Sequence, residues 1–141
     1  MNKMNTFLQD KYDMKEFSHV PLSNQLPDIH TETVKGKRFY VTPEGKKYPS
    51  ITTVLSGRNS EGLVRWRQSV GNDVANNIMR TAAKRGTAVH TLVENYLNNE
   101  ELSNQDVLPT ALFTLLKPEL DNINNIRIQE GGLYSDYYGV A

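Results

Sequence analysis

Aromatic and β-branched residues cluster on either side of one predicted turn. Arg38–Val41 precede the turn Thr42-Pro43-Glu44-Gly45, and Lys46–Tyr48 follow it. Aromatic and β-branched side chains favour strands, and proline followed by glycine favours a reversal of the chain. The pattern predicts a β-hairpin over residues 38–48. Residues 1–34 show no sustained period, which predicts an irregular N-terminal arm.

Apolar residues at helical spacing follow the hairpin. Ser50 is a suitable N-cap for a short helix through Leu55 that closes at Gly57. In the longest predicted helix, Val74, Ile78 and Ala82 recur every four residues. Further helices are predicted over Glu61–Val70, Asp73–Asn98 and Thr110–Ile126, with a polar loop over Glu100–Pro109 and a kink or division at Pro118.

The C-terminal residues alternate as strands do. Ile126–Glu130 predicts one strand, Gly131-Gly132 a turn, and Leu133–Tyr138 a returning strand. Two strands alone make a marginal sheet, so we expect that a larger sheet is still being built where the chain ends. The fold class predicted is α/β, helix-rich, with a front hairpin and the first strands of a core sheet. Its unpaired edge and uncovered apolar faces predict a homo-oligomer.

Composition restricts the class of protein. At 141 residues, with 38% hydrophobic and 23% charged residues, the chain can build one domain with a core. No apolar run reaches the length of a membrane span, and the N-terminus lacks a secretory signal, so a cytoplasmic protein is expected. Cysteine is absent, so any metal would be held by histidine and carboxylates.

Charge is unevenly distributed along a chain of zero formal net charge. Residues 35–93 carry eleven basic and three acidic groups, a surplus of eight, whereas residues 94–141 carry two basic and eight acidic groups. For any one lysine a solvated surface position is the simpler interpretation. A surplus of this size in one segment favours a phosphate-bearing partner such as DNA.

The segment 85–94 combines several groups that could serve chemistry. Gly86, His90 and Glu94 are spaced four apart and would lie along one face of the long helix. Glycine inside a helix costs about 1 kcal/mol relative to alanine, which hints at a close approach there. His90 could offer a nitrogen to a divalent metal, with Glu94 orienting the ring, while Arg85 and Thr87 could contact phosphate. An ordinary surface histidine–glutamate pair is the alternative.

Two other places carry candidate residues. Ser50, Thr52 and Thr53 supply hydroxyls at a helix start, where either phosphate binding or simple capping would use them. Glu130 on its predicted strand is either a metal ligand or an exposed strand residue.

The order of these segments resembles phage exonucleases of the PD-(D/E)XK superfamily, which are related to RecB-like nucleases and to the mitochondrial genome maintenance exonuclease. The resemblance covers roughly Arg38 to Ala141, and it implies that residues 35–141 form the N-terminal part of a nuclease domain, preceded by the N-terminal arm over residues 1–34. The segments that carry it are Tyr48-Pro49-Ser50-Ile51-Thr52-Thr53-Val54-Leu55, Leu63 with Trp66, Arg85-Gly86-Thr87-Ala88-Val89-His90 with Glu94, Glu130 with Leu133-Tyr134-Ser135, and Gly139-Val140-Ala141.

The resemblance implies a nuclease fold, DNA as substrate, Mg²⁺ or Mn²⁺ as cofactor, and catalytic roles for His90, as a metal ligand, and Glu130. It also implies that the family's later Asp and Asp/Glu-x-Lys motifs, which bind metal and activate water, have no counterpart in this sequence. We therefore expect an exonuclease chain that is truncated and has little activity alone. The alternatives are one half of a split nuclease, completed by a second chain, and a non-catalytic DNA-binding or interaction module.

Overall fold

The computed structural model describes residues 14–57, 60–103 and 106–141. Within these residues the chain forms three strands and four helices, so the α/β class is confirmed. The strands are β1 (His30–Val34), β2 (Lys37–Val41) and β3 (Lys47–Pro49). The helices are α1 (Ile51–Ser56), α2 (Ser60–Val70), α3 (Asn72–Leu97) and α4 (Val107–Leu120).

The strands form one antiparallel sheet in the order β1-β2-β3. The predicted hairpin corresponds to β2 and β3, with Tyr40 opposite Tyr48. The prediction of an irregular arm is wrong for residues 30–34, because β1 pairs with β2 from His30 opposite Val41 to Val34 opposite Lys37. Residues 1–13 of that arm lie outside the described residues. Lys35 and Gly36 join these two strands with φ values of 50° and 76°. Positive φ at both positions is the geometry of a tight hairpin turn.

The four predicted helices are confirmed, with one important change of bounds. The last helix begins at Val107 and ends at Leu120, whereas the prediction extended it from Thr110 to Ile126. Pro109 lies in its first turn, where a backbone N–H has no partner within the helix, so proline is tolerated. The helix continues through Pro118, so the predicted division there is wrong.

The predicted C-terminal strands are absent from the described residues. Ile126 makes an isolated parallel bridge with His19, and Ser135 makes another with Val140. Asn125 and Glu130 both have positive φ, 52° and 56°. Because positive φ is incompatible with a strand, any extended run is limited to Ile126–Gln129 between them. The prediction that Glu130 lies on a strand is therefore wrong.

Clustering of backbone contacts divides the chain into two compact units. The first contains residues up to Pro21 together with Asp73–Gln129, and the second contains Leu22–Asn72 with Glu130–Ala141. Among the described residues of the first unit, one core cluster contains five buried side chains: Phe17, Leu92, Tyr96, Leu102 and Phe113. The Tyr96 ring meets Phe17 and Phe113 edge to face, with ring centroids 5.0 and 5.4 Å away.

The second unit has a smaller buried centre. Val41, Thr42 and Ser50 are buried there, whereas neither α1 nor α2 buries a residue fully. Asp136 fastens the C-terminal segment to β3, because it accepts hydrogen bonds from the Tyr48 hydroxyl and from Lys46. Across the described residues, no helix combines the length and the apolar character that a membrane span requires.

Candidate nucleic-acid interface

A polar cleft lies in the second unit, beside the β1–β2 hairpin and the start of α1. Its volume is about 410 Å³, and its lining consists of one arginine, one glycine and four hydroxyl residues: Thr33, Gly36, Arg38, Ser50, Thr52 and Thr53. Ligand sites have volumes of roughly 300–1,000 Å³. The cleft therefore has room for a phosphate group and part of the molecule that carries it.

Ser50 holds the two sides of this cleft together. Its backbone N–H donates to the Arg38 carbonyl at 3.4 Å, and its hydroxyl accepts from the Thr53 N–H at 3.1 Å. The predicted capping role of Ser50 is thus confirmed. The Ile51 N–H donates to the Ala141 carbonyl at 2.8 Å. The backbone amides of Ile51 and Thr53 therefore already donate hydrogen bonds within the chain. A ligand in the cleft would contact side chains rather than these two amides.

The hydroxyls at this helix start form a small cluster of their own. Ser50 Oγ lies 2.7 Å from Thr53 Oγ1 and 3.2 Å from Thr52 Oγ1. Ser50 has one O–H, and one of its two lone pairs already accepts from the Thr53 amide. It can donate to one threonine and accept from the other, which leaves one threonine O–H for a ligand. The cluster is therefore able to donate to an anionic oxygen.

Arg38 supplies the positive charge of the cleft. Lys47 pairs with Glu32 at 2.7 Å, and Lys46 pairs with Asp136 at 3.1 Å. Within residues 14–57, 60–103 and 106–141, Arg38 has no acidic group at ion-pair distance. A guanidinium presents five N–H donors in a planar fork that matches the oxygens of a phosphate. The cleft therefore has the donor set of a phosphate site.

The acids near these lysines are held in their charged form. The hydrogen bond from Lys47 lowers the pKa of Glu32, and the hydrogen bond from the Tyr48 hydroxyl, followed by that from Lys46, lowers the pKa of Asp136. Both lysines are thus neutralised by nearby carboxylates near neutral pH. The positive charge left on the hairpin lies at its turn end, on Lys35, Lys37 and Arg38.

The second candidate surface is the polar side of α3 in the first unit. His90 and Glu94 are both exposed, and a Cβ built on Gly86 would contact no described neighbour outside its own helix turn. At 100° per residue, Thr87 lies about 60° around the helix from His90, whereas Arg85 lies about 140° away. Thr87 therefore shares the face of His90, and Arg85 does not. The Thr87 hydroxyl donates to the Ala83 carbonyl at 3.0 Å.

The described residues do not supply a set of ligands for a divalent metal. Among them, no group of three or more histidine and acidic side chains is placed to hold a metal ion. His90 belongs to the first unit, and Glu130 is an exposed residue of the second. Mg²⁺ requires several oxygen ligands in near-octahedral geometry, which one imidazole cannot provide. No catalytic step through a metal is assigned to these residues.

Three cleft residues were missed by the interpretation of the sequence: Thr33, Gly36 and Arg38. They come together because β1 pairs with β2, and β1 was not predicted. The signal was present in the sequence, since His30–Val34 contains three β-branched residues and Lys35-Gly36 separates it from Lys37–Val41 by two residues. A two-residue connection with glycine between two such runs is typical of a hairpin.

Comparison with family models, with curated proteins and with solved structures finds no match to this chain. The geometry and chemistry of its residues are therefore the evidence on its function.

Proposed function

We propose that this chain is a DNA-binding component of a PD-(D/E)XK-type exonuclease and that it has little or no hydrolytic activity by itself. The observation that carries the proposal is the cleft that joins Arg38 to the hydroxyls at the start of α1. The order of sequence segments supports the nuclease family. The described residues support phosphate binding in their own right and lack a three-ligand metal group.

The chemistry of the cleft favours a phosphate of the DNA backbone over other anions. A phosphodiester shares one negative charge over two non-bridging oxygens, which match the planar guanidinium fork of Arg38. The free threonine O–H can donate to one of the same oxygens. Lys35 and Lys37, near the same hairpin turn, extend the positive surface toward neighbouring phosphates. A strand with regularly spaced charges is thus a better ligand than a single small anion.

Fluorescence anisotropy with a labelled oligonucleotide tests the binding. We expect Arg38→Ala to weaken binding roughly tenfold, and to reduce the slope of log affinity against log salt by about one. Arg38→Lys should restore part of the affinity, because the charge returns without the fork. The matched control is Arg65→Ala, which removes an exposed arginine from α2 of the same unit. Equal losses in Arg38→Ala and Arg65→Ala would show that the cleft is not the binding site.

Digestion assays with single-stranded and double-stranded DNA in Mg²⁺ or Mn²⁺ test the catalytic part. We expect no degradation above background by the purified chain. Robust degradation that disappears in His90→Ala would overturn the proposal of inactivity. A second chain that supplies carboxylates and lysine should restore activity if the enzyme is split, and its failure to associate would contradict that variant of the proposal.

The second candidate function is a non-catalytic DNA-binding module. It is favoured by one observation, namely that the Arg38 cleft contains no group that depends on a metal. This candidate predicts DNA binding that responds to salt and is unchanged by Mg²⁺ and by His90→Ala. A requirement of binding for the metal, lost in His90→Ala, would instead favour the exonuclease component.

A further inference from the structure

Two adjacent tyrosines in the second unit expose their aromatic rings. Tyr137 is 88% exposed and Tyr138 is 75% exposed, whereas tyrosine is usually intermediate in burial. Their ring centroids lie 4.8 Å apart with an interplanar angle of 87°, which is an edge-to-face contact. Such a contact covers a face of only one ring, so the pair still presents open aromatic faces to solvent.

The turn that carries the pair is hydrogen-bonded within itself. The Ser135 N–H donates to the Val140 carbonyl at 2.9 Å, and the Gly139 N–H donates to the Ser135 carbonyl at 2.8 Å. The Tyr138 N–H donates to Ser135 Oγ at 3.2 Å. Gly139 has φ of 63°, a conformation that glycine adopts without strain, and a Cβ added to it would lie 3.9 Å from the Tyr48 ring. The exposed rings are therefore presented by a defined turn that lies close to β3.

The same segment reaches the edge of the phosphate-binding cleft. The Ala141 N–H donates to the Pro49 carbonyl at 3.1 Å, and the Ala141 carbonyl accepts from the Ile51 N–H at 2.8 Å. Pro49 and Ile51 flank Ser50, which lines the cleft. Three peptide units lead from Tyr138 to Ala141, so their Cα atoms are at most about 11 Å apart. At about 3.4 Å per nucleotide, a DNA strand covers such a distance in roughly three nucleotides.

We propose that Tyr137 and Tyr138 form a stacking platform for an unpaired base of the DNA strand bound at the Arg38 cleft, so that the chain prefers single-stranded to double-stranded DNA. The inference rests on the proposed function for its class of ligand. Bases of a single strand stack on exposed aromatic rings, and every base has a face for this contact. In a duplex the bases are paired and stacked on each other, so their faces are closed to a protein side chain.

Charge complementarity favours a nucleic-acid strand over other partners of exposed tyrosines. Proline-rich peptides also dock on aromatic side chains, but they bring no regular negative charge. Arg38 has no acidic group at ion-pair distance among the residues that the structure describes, and its guanidinium suits a phosphate. A DNA strand joins phosphates to ring faces at short intervals, so it can use the cleft and the tyrosine pair together.

Anisotropy titrations with three labelled probes of equal length test the platform: an oligothymidylate strand, an abasic strand and a duplex. We expect the double variant Tyr137→Ala/Tyr138→Ala to bind the oligothymidylate roughly tenfold more weakly than the parent chain does. Its affinity for the abasic strand and for the duplex should equal that of the parent chain, because neither probe offers an open base face. An unchanged affinity for the oligothymidylate, or an equal loss for all three probes, would overturn the proposal.

Two further variants separate stacking from other effects of the substitutions. Tyr137→Phe/Tyr138→Phe keeps both rings and removes both hydroxyls, so it should bind the oligothymidylate about as tightly as the parent chain. Leu133→Ala is the matched control, because it removes a side chain of the same segment that is 57% exposed and not aromatic. Its affinity for the oligothymidylate should be unchanged. A loss in either variant as large as in the double alanine variant would contradict stacking.

The same titrations distinguish failure of this inference from failure of the proposed function. If the abasic strand binds through Arg38 while the tyrosine variants leave every affinity unchanged, only the stacking platform is refuted. If the double alanine variant binds the oligothymidylate weakly while Arg38→Ala leaves all three probes unaffected, only the DNA-binding cleft is refuted. A proline-rich peptide probe that loses affinity in the double alanine variant, while the oligothymidylate does not, would assign the pair to peptide docking and overturn the proposal.

Discussion

Lys35 has a left-handed backbone conformation, with φ of 50°, in the turn between β1 and β2. Side chains other than glycine, asparagine and aspartate are disfavoured there, at a cost of roughly 1–2 kcal/mol. Gly36, the next residue, has φ of 76°, and a Cβ added to it would have no neighbouring atom within 4 Å. The strain of this hairpin is therefore concentrated at one residue.

We expect Lys35→Asn to stabilise the chain by about 0.5–1 kcal/mol, because asparagine tolerates the left-handed region better than lysine. Chemical unfolding measures the free energy. Lys37→Asn is the control, because it also removes one positive charge but changes a residue of β2 rather than a residue of the turn. A gain in stability in Lys37→Asn equal to that in Lys35→Asn would attribute the effect to charge.

Asp121 follows α4 and accepts hydrogen bonds from Lys117, at 2.8 Å, and from the Tyr96 hydroxyl. Burial opposes its ionisation, but the hydrogen bonds from Lys117 and Tyr96 outweigh burial and lower its pKa below its usual value of 3.8. A carboxyl with a lowered pKa stabilises the folded state above its unfolded pKa, and this contribution is lost as the pH falls through the folded pKa.

Asp121→Asn should therefore reduce the loss of stability on acidification from about pH 7 to about pH 3, because the variant has no proton to take up at this site. Urea unfolding midpoints at the two pH values measure this loss. Glu119→Gln, which changes an exposed acid in the last turn of α4, should lose as much stability as the parent chain. An unchanged acid sensitivity in Asp121→Asn would contradict the role of this carboxyl.

At the scale of elements, α3 and α4 are joined by aromatic packing. Tyr96 and Phe113 are each only 1% exposed, and Leu92, one turn before Tyr96 on α3, is 2% exposed. Lys15, in the N-terminal segment, contacts the end of α4, since its Nζ donates to the carbonyls of Asp121, at 2.7 Å, and Ile123, at 2.6 Å. A cation at the C-terminal end of a helix is favourable to the helix dipole.

Phe113→Ala should destabilise the first unit by roughly 3–5 kcal/mol, because it leaves a cavity against Tyr96 and Leu92. Thermal or chemical unfolding, monitored by a spectroscopic signal from the first unit, measures the change in its free energy of unfolding. Glu119→Ala is the control six residues further along α4, at an exposed position outside that core. It should change the free energy by no more than about 0.5 kcal/mol. Comparable losses in the two variants would mean that Phe113 is not a core residue.

At the scale of the whole molecule, exposed apolar side chains are numerous. The outer face of α4 carries five of them within a sector of about 100°: Val107, Leu108, Ala111, Leu115 and Pro118. Val107 and Leu115 are 86% and 75% exposed, and no charged residue lies within the sector. A contiguous exposed apolar face is normally covered by a partner, so this face predicts a second copy of the chain.

We expect the parent chain to self-associate and Leu115→Glu to shift the population toward monomer, since a charge opposite its own copy is repelled. Light scattering across a concentration series measures the mass. Leu63→Glu, on exposed α2, is the control and should leave the association unchanged. A parent chain that remains monomeric throughout the series would refute the prediction of an oligomer.

Local rules determined much of what this sequence forms. The helices over residues 51–97 were predicted to within about two residues, because caps such as Ser50 and the four-residue apolar spacing act within a single turn. The capping hydroxyls were predicted from the sequence, and their cluster is observed. The α/β class follows from the same local patterns.

Tertiary structure alone decided the rest, because it depended on partners distant in sequence. Residues 126–130 alternate as a strand does, yet Ile126 pairs with His19 and no sheet forms there among the described residues. Arg38 lines the cleft because the pairing of β1 with β2 places Thr33 and Gly36 beside it. Gln129 is likewise held by a residue distant in sequence, since its Nε2 donates to the Glu94 carbonyl. The spacing of apolar residues predicts which of them share a face of a helix or strand. Only the completed fold determines which backbone groups and side chains that face contacts.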